Sequence, residues 1–302
     1  MTQRLQGGLH PPIKEAPLPE QLYPAVLSMR SGFMIGGGNR GGVKGRVLSD
    51  IWEEIKRRGP PFQFDNLMVK TKTGDQFRNQ FDLTKVDRSE RLPESLRNDD
   101  VFIVHLGGGR HQFVKGISLG YHALEVPSKE VPWRFKRTIL DDFDSGEAGV
   151  LSIVFNEQIA QDFLYDNPRA PVKIHLPGRT HRAEENSFSY RVGSTEVSVT
   201  SLQIELDFIL EDPHGEVAIA EAKRGDIPRD FGVSQIYLPY RKLLRVQERR
   251  RTRFRIRPLF VVHFIRPDGR EAIRLYEYAF QDPFDMGSIT HVKSSEYVLA
   301  PT

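Results

Sequence analysis

Apolar and polar positions alternate along this chain with a period that changes from segment to segment. Leu48, Ile51, Trp52 and Ile55 recur at helical spacing, which predicts a helix over 47–58 stopped by Gly59-Pro60-Pro61. Val101–Leu106 is an unbroken apolar run closed by a glycine turn and reads as a buried strand, and further strands are expected within 111–126. Leu151, Val154, Phe155, Ile159, Phe163 and Leu164 predict one amphipathic helix over 150–165, ended near Asn167-Pro168. Strands are expected at 187–191 and 196–200 around the Gly193-Ser194 turn. Two longer apolar runs, 201–210 and 216–223, flank the tight turn Glu211-Asp212-Pro213-His214-Gly215 and predict a hairpin. A helix follows over 231–247, in which Pro239 implies a kink or a later start, and then strands at 257–265 and 272–280.

The hairpin carries the most informative chemistry. Side chains alternate across a strand, so Glu221 and Lys223 share a face, as do Glu205 and Asp207. Pairing the two runs can gather all four groups. Two carboxylates beside one lysine suit a hard divalent cation and the activation of water next to a phosphate. The bland reading is a solvated strand face with a cross-strand ion pair worth a fraction of a kcal/mol. Against it, these charges interrupt otherwise apolar runs, where an unpaired charge is costly.

Composition narrows the class. A chain of 302 residues with 38% hydrophobic and 27% charged residues belongs with soluble globular proteins, one large domain or two ordinary ones. No apolar run approaches the length that crosses a bilayer, and residues 1–10 have no apolar signal core. The absence of cysteine excludes disulfides and thiolate sites and fits a cytoplasmic protein. A net charge of +3 makes the whole-molecule field weak, so a nucleic-acid surface has to come from local patches.

Two such patches stand out. The Gly-rich segment 36–46 follows a proline-rich arm over 1–28 and reads as a surface loop whose Arg40, Lys44 and Arg46 are candidates for phosphate contact. Its Gly36-x-Gly38-x-x-Gly41 spacing matches a dinucleotide fingerprint only formally, and it lacks the Gly-Lys-Ser/Thr of a phosphate-binding loop. The run from Arg245 to Arg257 is the densest, with Arg249, Arg251 and Arg253 as candidate contacts to a DNA backbone. There Arg253, Arg255 and Arg257 would share a strand face while Phe254 and Ile256 face the core. The acidic stretch 141–147 marks a boundary between a region 1–146 and a region 147–302. His105 and His111 flank a glycine turn and read as structural, and no zinc-protease spacing or Gly-x-Ser-x-Gly elbow is present.

The order helix, strand, strand, strand, helix, strand, with Leu206-Asp207 on the second strand and Glu221-Ala222-Lys223 on the third, resembles the PD-(D/E)XK nuclease superfamily over roughly 150–266. Leucine at 206 departs from the proline of the motif and leaves the acid intact. The stretch Ser234-Gln235 to Arg241 also looks like the Gln-and-Tyr-bearing helix that follows the motif in several such nucleases. The resemblance implies an α/β fold with a restriction-endonuclease-like core, a central mixed sheet flanked by helices in the order α-β-β-β-α-β. It also implies an N-terminal α+β recognition region. The implied activity is Mg²⁺-dependent, sequence-specific cleavage of double-stranded DNA by a type II restriction enzyme, with Mn²⁺ as a substitute metal. Asp207 and Glu221 would hold one or two ions with the Ala222 carbonyl, Lys223 would orient water, and Gln235 would bond the lysine, a water or the phosphate. Glu157 and Glu205 compete for the part of an additional carboxylate. A prokaryotic cytoplasmic homodimer with a cognate DNA methyltransferase follows from the same resemblance. A structure-specific repair or recombination nuclease, a non-catalytic nucleic-acid-binding module and a different metal-dependent hydrolase are the alternatives.

Overall fold

The computed structural model describes residues 37–74, 80–138, 146–175, 178–180 and 186–301. The proline-rich arm, the acidic stretch up to residue 145 and the Arg40 side chain lie outside the described residues. Residues Lys44–Thr302 form one compact unit. The fold is mixed α/β, a central mixed sheet flanked by helices. Among the described residues no helix is long and apolar enough to cross a membrane.

The first helix is longer than its hydrophobic spacing predicts. It spans Gly37–Arg58, so the Gly-rich segment is helical rather than a loop. Gly42 and Gly45 face open space, where each weakens the helix by up to about 1 kcal/mol relative to alanine. Packing of Leu48, Ile51, Trp52 and Ile55 carries the helix through them, since extending an existing helix costs less than nucleating one. Trp52 packs edge-on against Phe113 and donates from Nε1 to Asp99 Oδ2 at 2.6 Å. Phe113 belongs to a three-stranded antiparallel sheet ordered Gln63–Asp65, Arg110–Lys115, Val101–Gly107. His105 and His111 face one another in its hairpin, with Nδ1 atoms 2.9 Å apart, and His111 Nε2 meets Asn66 Oδ1 at 2.8 Å. Burial pushes His105 down to about 3 and His111 to about 4, so both stay neutral as parts of the core.

The larger sheet has seven strands among the described residues. From edge to edge they are Lys129–Phe135, Ile289–Pro301, Glu271–Phe280, Arg255–Ile265, Glu216–Arg224, Phe208–Glu211 and Lys173–His175. The strand Lys129–Phe135 joins this sheet although it precedes residue 146. Glu216–Arg224 runs parallel to Arg255–Ile265 and antiparallel to Phe208–Glu211. Asp212 closes the hairpin turn by accepting from the backbone N–H of His214 and Glu216, and Gly215 takes φ +82°.

Two layers of helix cover the sheet. Ala218, Ala220 and Ala222 face the pair Glu147–Asn156 and Ile159–Tyr165, and their small side chains let the helices approach closely. The sequence predicts one helix here; Gln158 at φ 61° breaks it in two. Phe155 stacks on Phe208 across this layer. On the other face Val217 and Ile219 pack with Leu243 of the helix Ser234–Arg250, which starts three residues later than expected and keeps Pro239 inside.

The run 201–210 is not one strand. Ile204–Leu206 leaves the sheet to pair with Gly178–Thr180, and the main sheet resumes at Phe208. The segment before this break is anchored by the three-stranded sheet: Thr200 N–H donates to Leu106 O at 2.9 Å, and a Cβ on Gly107 would lie 2.0 Å from Thr200 O. The hairpin Phe188–Val192 and Thr195–Val199 forms its own two-stranded sheet, so Lys173–His175 is the first strand after the helices to enter the main sheet.

Candidate active site

Phe208 pairs with Ala220, so Asp207, at the break, stands beside Glu221 on the neighbouring strand. The Ala222 N–H points to Asp207 Oδ2 at 3.5 Å. Glu221 and Lys223 share a face, and Lys223 Nζ donates to Glu221 Oε1 at 2.7 Å. Gln235, at the start of the helix Ser234–Arg250, donates from Nε2 to the same oxygen at 2.9 Å. Its own Oε1 is buried and has no hydrogen-bond partner. Pro239 also has no N–H to give the Gln235 carbonyl four residues earlier.

Lys223 makes a second bond, 2.7 Å long, to Glu147 Oε1. Glu147 opens the helix Glu147–Asn156, whereas Glu157 caps its far end. Ten residues of helix separate the two by roughly 15 Å, and the Glu157 carbonyl accepts from Trp133 Nε1. The structure therefore brings Glu147, and not Glu157, to the lysine. In the sequence Glu147 sits in the acidic stretch; its only signal is an acid placed right after Gly146 at the start of an apolar helical run. Glu205 lies on the exposed side of its short strand, yet it lines a small crevice with Ile219, Glu221, Gln235 and Pro239.

Burial dominates the electrostatics. It pushes Glu221 up to about 8, with Asp207 adding to the rise and Lys223 opposing it. Asp207 is also raised by burial, against the Ala222 N–H and the nearby charge of Lys223. Burial disfavours the charged Lys223, but Glu221 and Glu147 outweigh it and hold the ammonium above its ordinary value. Because the folded-state pKa of Glu221 lies above the ordinary 4.5, the folded chain keeps a proton that the unfolded chain releases. Stability from this group is full below that window and falls as pH rises toward about 8. Thermal melts of the metal-free protein should show this decline, and Glu221→Gln should flatten it; a wild-type melting curve independent of pH in this range would contradict the assignment.

The donor set suits a hard cation. Two carboxylates and the unpartnered Gln235 Oε1 are all oxygens, which favours Mg²⁺ or Ca²⁺ over softer metals. Among the described residues no three His, Asp or Glu side chains are gathered as ligands. Mg²⁺ does not need such a cage, since it keeps several waters and takes one or two carboxylates.

The basic candidates fare differently. Lys44 Nζ donates to the Asp82 and Lys85 carbonyls at 3.0 and 2.6 Å, so it is engaged at the end of the short helix Gln80–Thr84. Arg46 is exposed. Arg249, Arg251 and Arg253 are exposed around the C-terminal end of the helix Ser234–Arg250, the end away from Gln235. Arg257 does not present a charge to solvent. It is buried in a two-pronged pair with Glu277, with bonds of 2.8 and 2.7 Å, and reaches Glu216 as well.

Residues 118–298 match the family described as "Domain of unknown function (DUF6997)", 181 of 302 positions, which covers every residue of the cluster. The chain belongs to this family. Residues 46–113, which hold the later part of the first helix and most of the three-stranded sheet, match a second description, "Domain of unknown function (DUF6996)". No curated protein and no solved structure matches the chain. The two matches meet between 113 and 118, so the strand Lys129–Phe135 and the whole seven-stranded sheet fall in the family's span except for the last residues.

Proposed function

We propose that the chain is a Mg²⁺-dependent endonuclease of the PD-(D/E)XK kind that cuts double-stranded DNA as a type II restriction enzyme does. The observation that carries this reading is the convergence of Asp207, Glu221 and Lys223 where a strand break meets a parallel strand pair. The order of elements supports it. Among the strands of the main sheet and the helices beside it, the order is helix, Lys173–His175, Phe208–Glu211, Glu216–Arg224, helix and Arg255–Ile265, with the acid just before the second strand and Glu-x-Lys on the third; the strands that intervene in the chain lie outside this sheet.

Each residue has a task in such a reaction. Asp207 and Glu221 hold the cation, and Gln235 fixes the Glu221 carboxylate. A bound Mg²⁺ supplies charge neutralisation at the scissile phosphate. Lys223 orients the attacking water and stabilises the charge that builds on the phosphate oxygens. Glu147 keeps the ammonium aimed at that position. Recognition falls to the N-terminal region, and a homodimer would place one such site on each strand of a palindrome. A cognate methyltransferase would then protect the host genome.

The test is plasmid cleavage. Wild type with Mg²⁺ should release discrete fragments, and Asp207→Ala should release none while still binding DNA in Ca²⁺. Cutting confined to branched or flap junctions would favour a repair nuclease. Binding without cutting under any divalent metal would favour a non-catalytic module. Undiminished cutting by Asp207→Ala would remove the site assignment.

A further inference from the structure

We infer that the surface carrying the DNA backbone is the rim at the Lys223 end of the sheet, with Arg224 and Arg229 as phosphate contacts, and not the run Arg249–Arg253. This inference rests on the nuclease reading and says where the duplex lies.

Two independent rulers exclude the dense arginine run from the reacting centre. Along the strand, Glu216 pairs with Arg255 and Arg224 with His263. Arg255 is thus level with the far end, roughly 26 Å from Arg224 at ~3.3 Å per residue. Along the helix, Gln235 touches Glu221, and Arg249 comes fourteen residues later, roughly 21 Å away at ~1.5 Å per residue. A separation of ~20 Å exceeds the ~8 Å screening length at physiological salt and spans about six base pairs at ~3.4 Å per phosphate on one strand. Arginines there do not act on the phosphate that Lys223 faces.

The near rim carries exposed cations of its own, beside the reacting centre. Arg224 is the last residue of the strand, next to Lys223, exposed, and among the described residues without an ion pair. Strand alternation sends Lys223 and Arg224 to opposite faces, so the two cations straddle the strand end. Arg229 is exposed on the loop that leaves the same strand, also without an ion pair among the described residues. That loop is tied at both ends: Gly225 N–H donates to His263 O at 2.9 Å, and Leu124 N–H to Arg229 O at 3.1 Å. The loop backbone between the two arginines is therefore held in place, with the exposed Asp226 between them. Arg137 is engaged by Glu271 at 3.3 Å and is not counted among the phosphate contacts. Arg255 and Arg257 at the far end are engaged by Glu216 and Glu277.

The experiment is fluorescence anisotropy of a labelled duplex in Ca²⁺ across a salt series, with wild type, Arg224→Ala/Arg229→Ala and Arg249→Ala/Arg251→Ala/Arg253→Ala. The first variant should bind at least about tenfold more weakly, and its log–log salt slope should fall by about two, at ~0.9 per lost phosphate contact. The triple variant should keep the wild-type slope. An unchanged slope in the first variant, or a loss confined to the triple variant, would overturn the inference. All substituted arginines are exposed, and unchanged melting temperatures verify that each variant is folded. The nuclease reading fails separately: wild type that binds the duplex through this rim yet cuts no DNA in Mg²⁺ removes the chemistry and keeps the surface.

Discussion

Replacing Lys223 by alanine should lower Mg²⁺-dependent plasmid cleavage by about 10³-fold, the scale of losing one well-placed electrostatic group at a reacting centre. The ammonium is held between Glu221 and Glu147, each 2.7 Å away, so its position is fixed before substrate arrives. Lys223 also opposes the rise of the Glu221 pKa. Its removal should therefore push Glu221 further up and move the alkaline onset of cation binding to higher pH, which calorimetric titration with Ca²⁺ would measure. A Lys223→Ala variant that cuts within about tenfold of wild type would exclude the lysine from the proposed chemistry. Glu147→Gln should lose less than Lys223→Ala, because it frees the ammonium without removing it.

The largest effect on stability is expected away from that cluster. Arg257→Ala should destabilise the fold by about 3–5 kcal/mol, because it leaves the Glu277 carboxylate buried without its partner. Glu277 is 2% exposed and Arg257 7%. Arg255 stands 3.8 Å from Glu277 but is 60% exposed, so water screens most of what it offers. Removing both charges together, as Arg257→Met with Glu277→Leu, should recover most of the loss, since well-packed apolar pairs replace buried ion pairs at little cost. Denaturant titration separates the two cases. A single Arg257→Ala cost below about 1 kcal/mol would show that the pair is solvated and not part of the core.

These two arginine and lysine cases show how much was legible in the chain. The Glu221–Lys223 pair follows from strand alternation and a turn of two to five residues, both local rules, so sequence placed it correctly. Arg253, Arg255 and Arg257 alternate just as regularly, and alternation alone reads them as one solvated face. What buries Arg257 is Glu277 on the adjacent strand, a partner twenty residues away that no local rule selects.

The same division runs through the candidate site. Sequence determined the hairpin, its turn at Asp212 and the shared face of Glu221 and Lys223, because these depend on backbone period and on residues a few positions apart. It also placed Gln235 on the following helix. Only the tertiary structure decided that the strand breaks at Asp207, that Glu147 rather than Glu157 meets the lysine, and that the Arg249–Arg253 run lies at the end of the sheet away from Lys223. Each of those outcomes turns on which end of one element faces which end of another. Helical periodicity marks the apolar face of Glu147–Asn156 and of Ser234–Arg250, but one face serves either direction of packing. Direction is fixed by contacts across the sheet, between residues far apart in the chain, and that information exists only once the chain has folded.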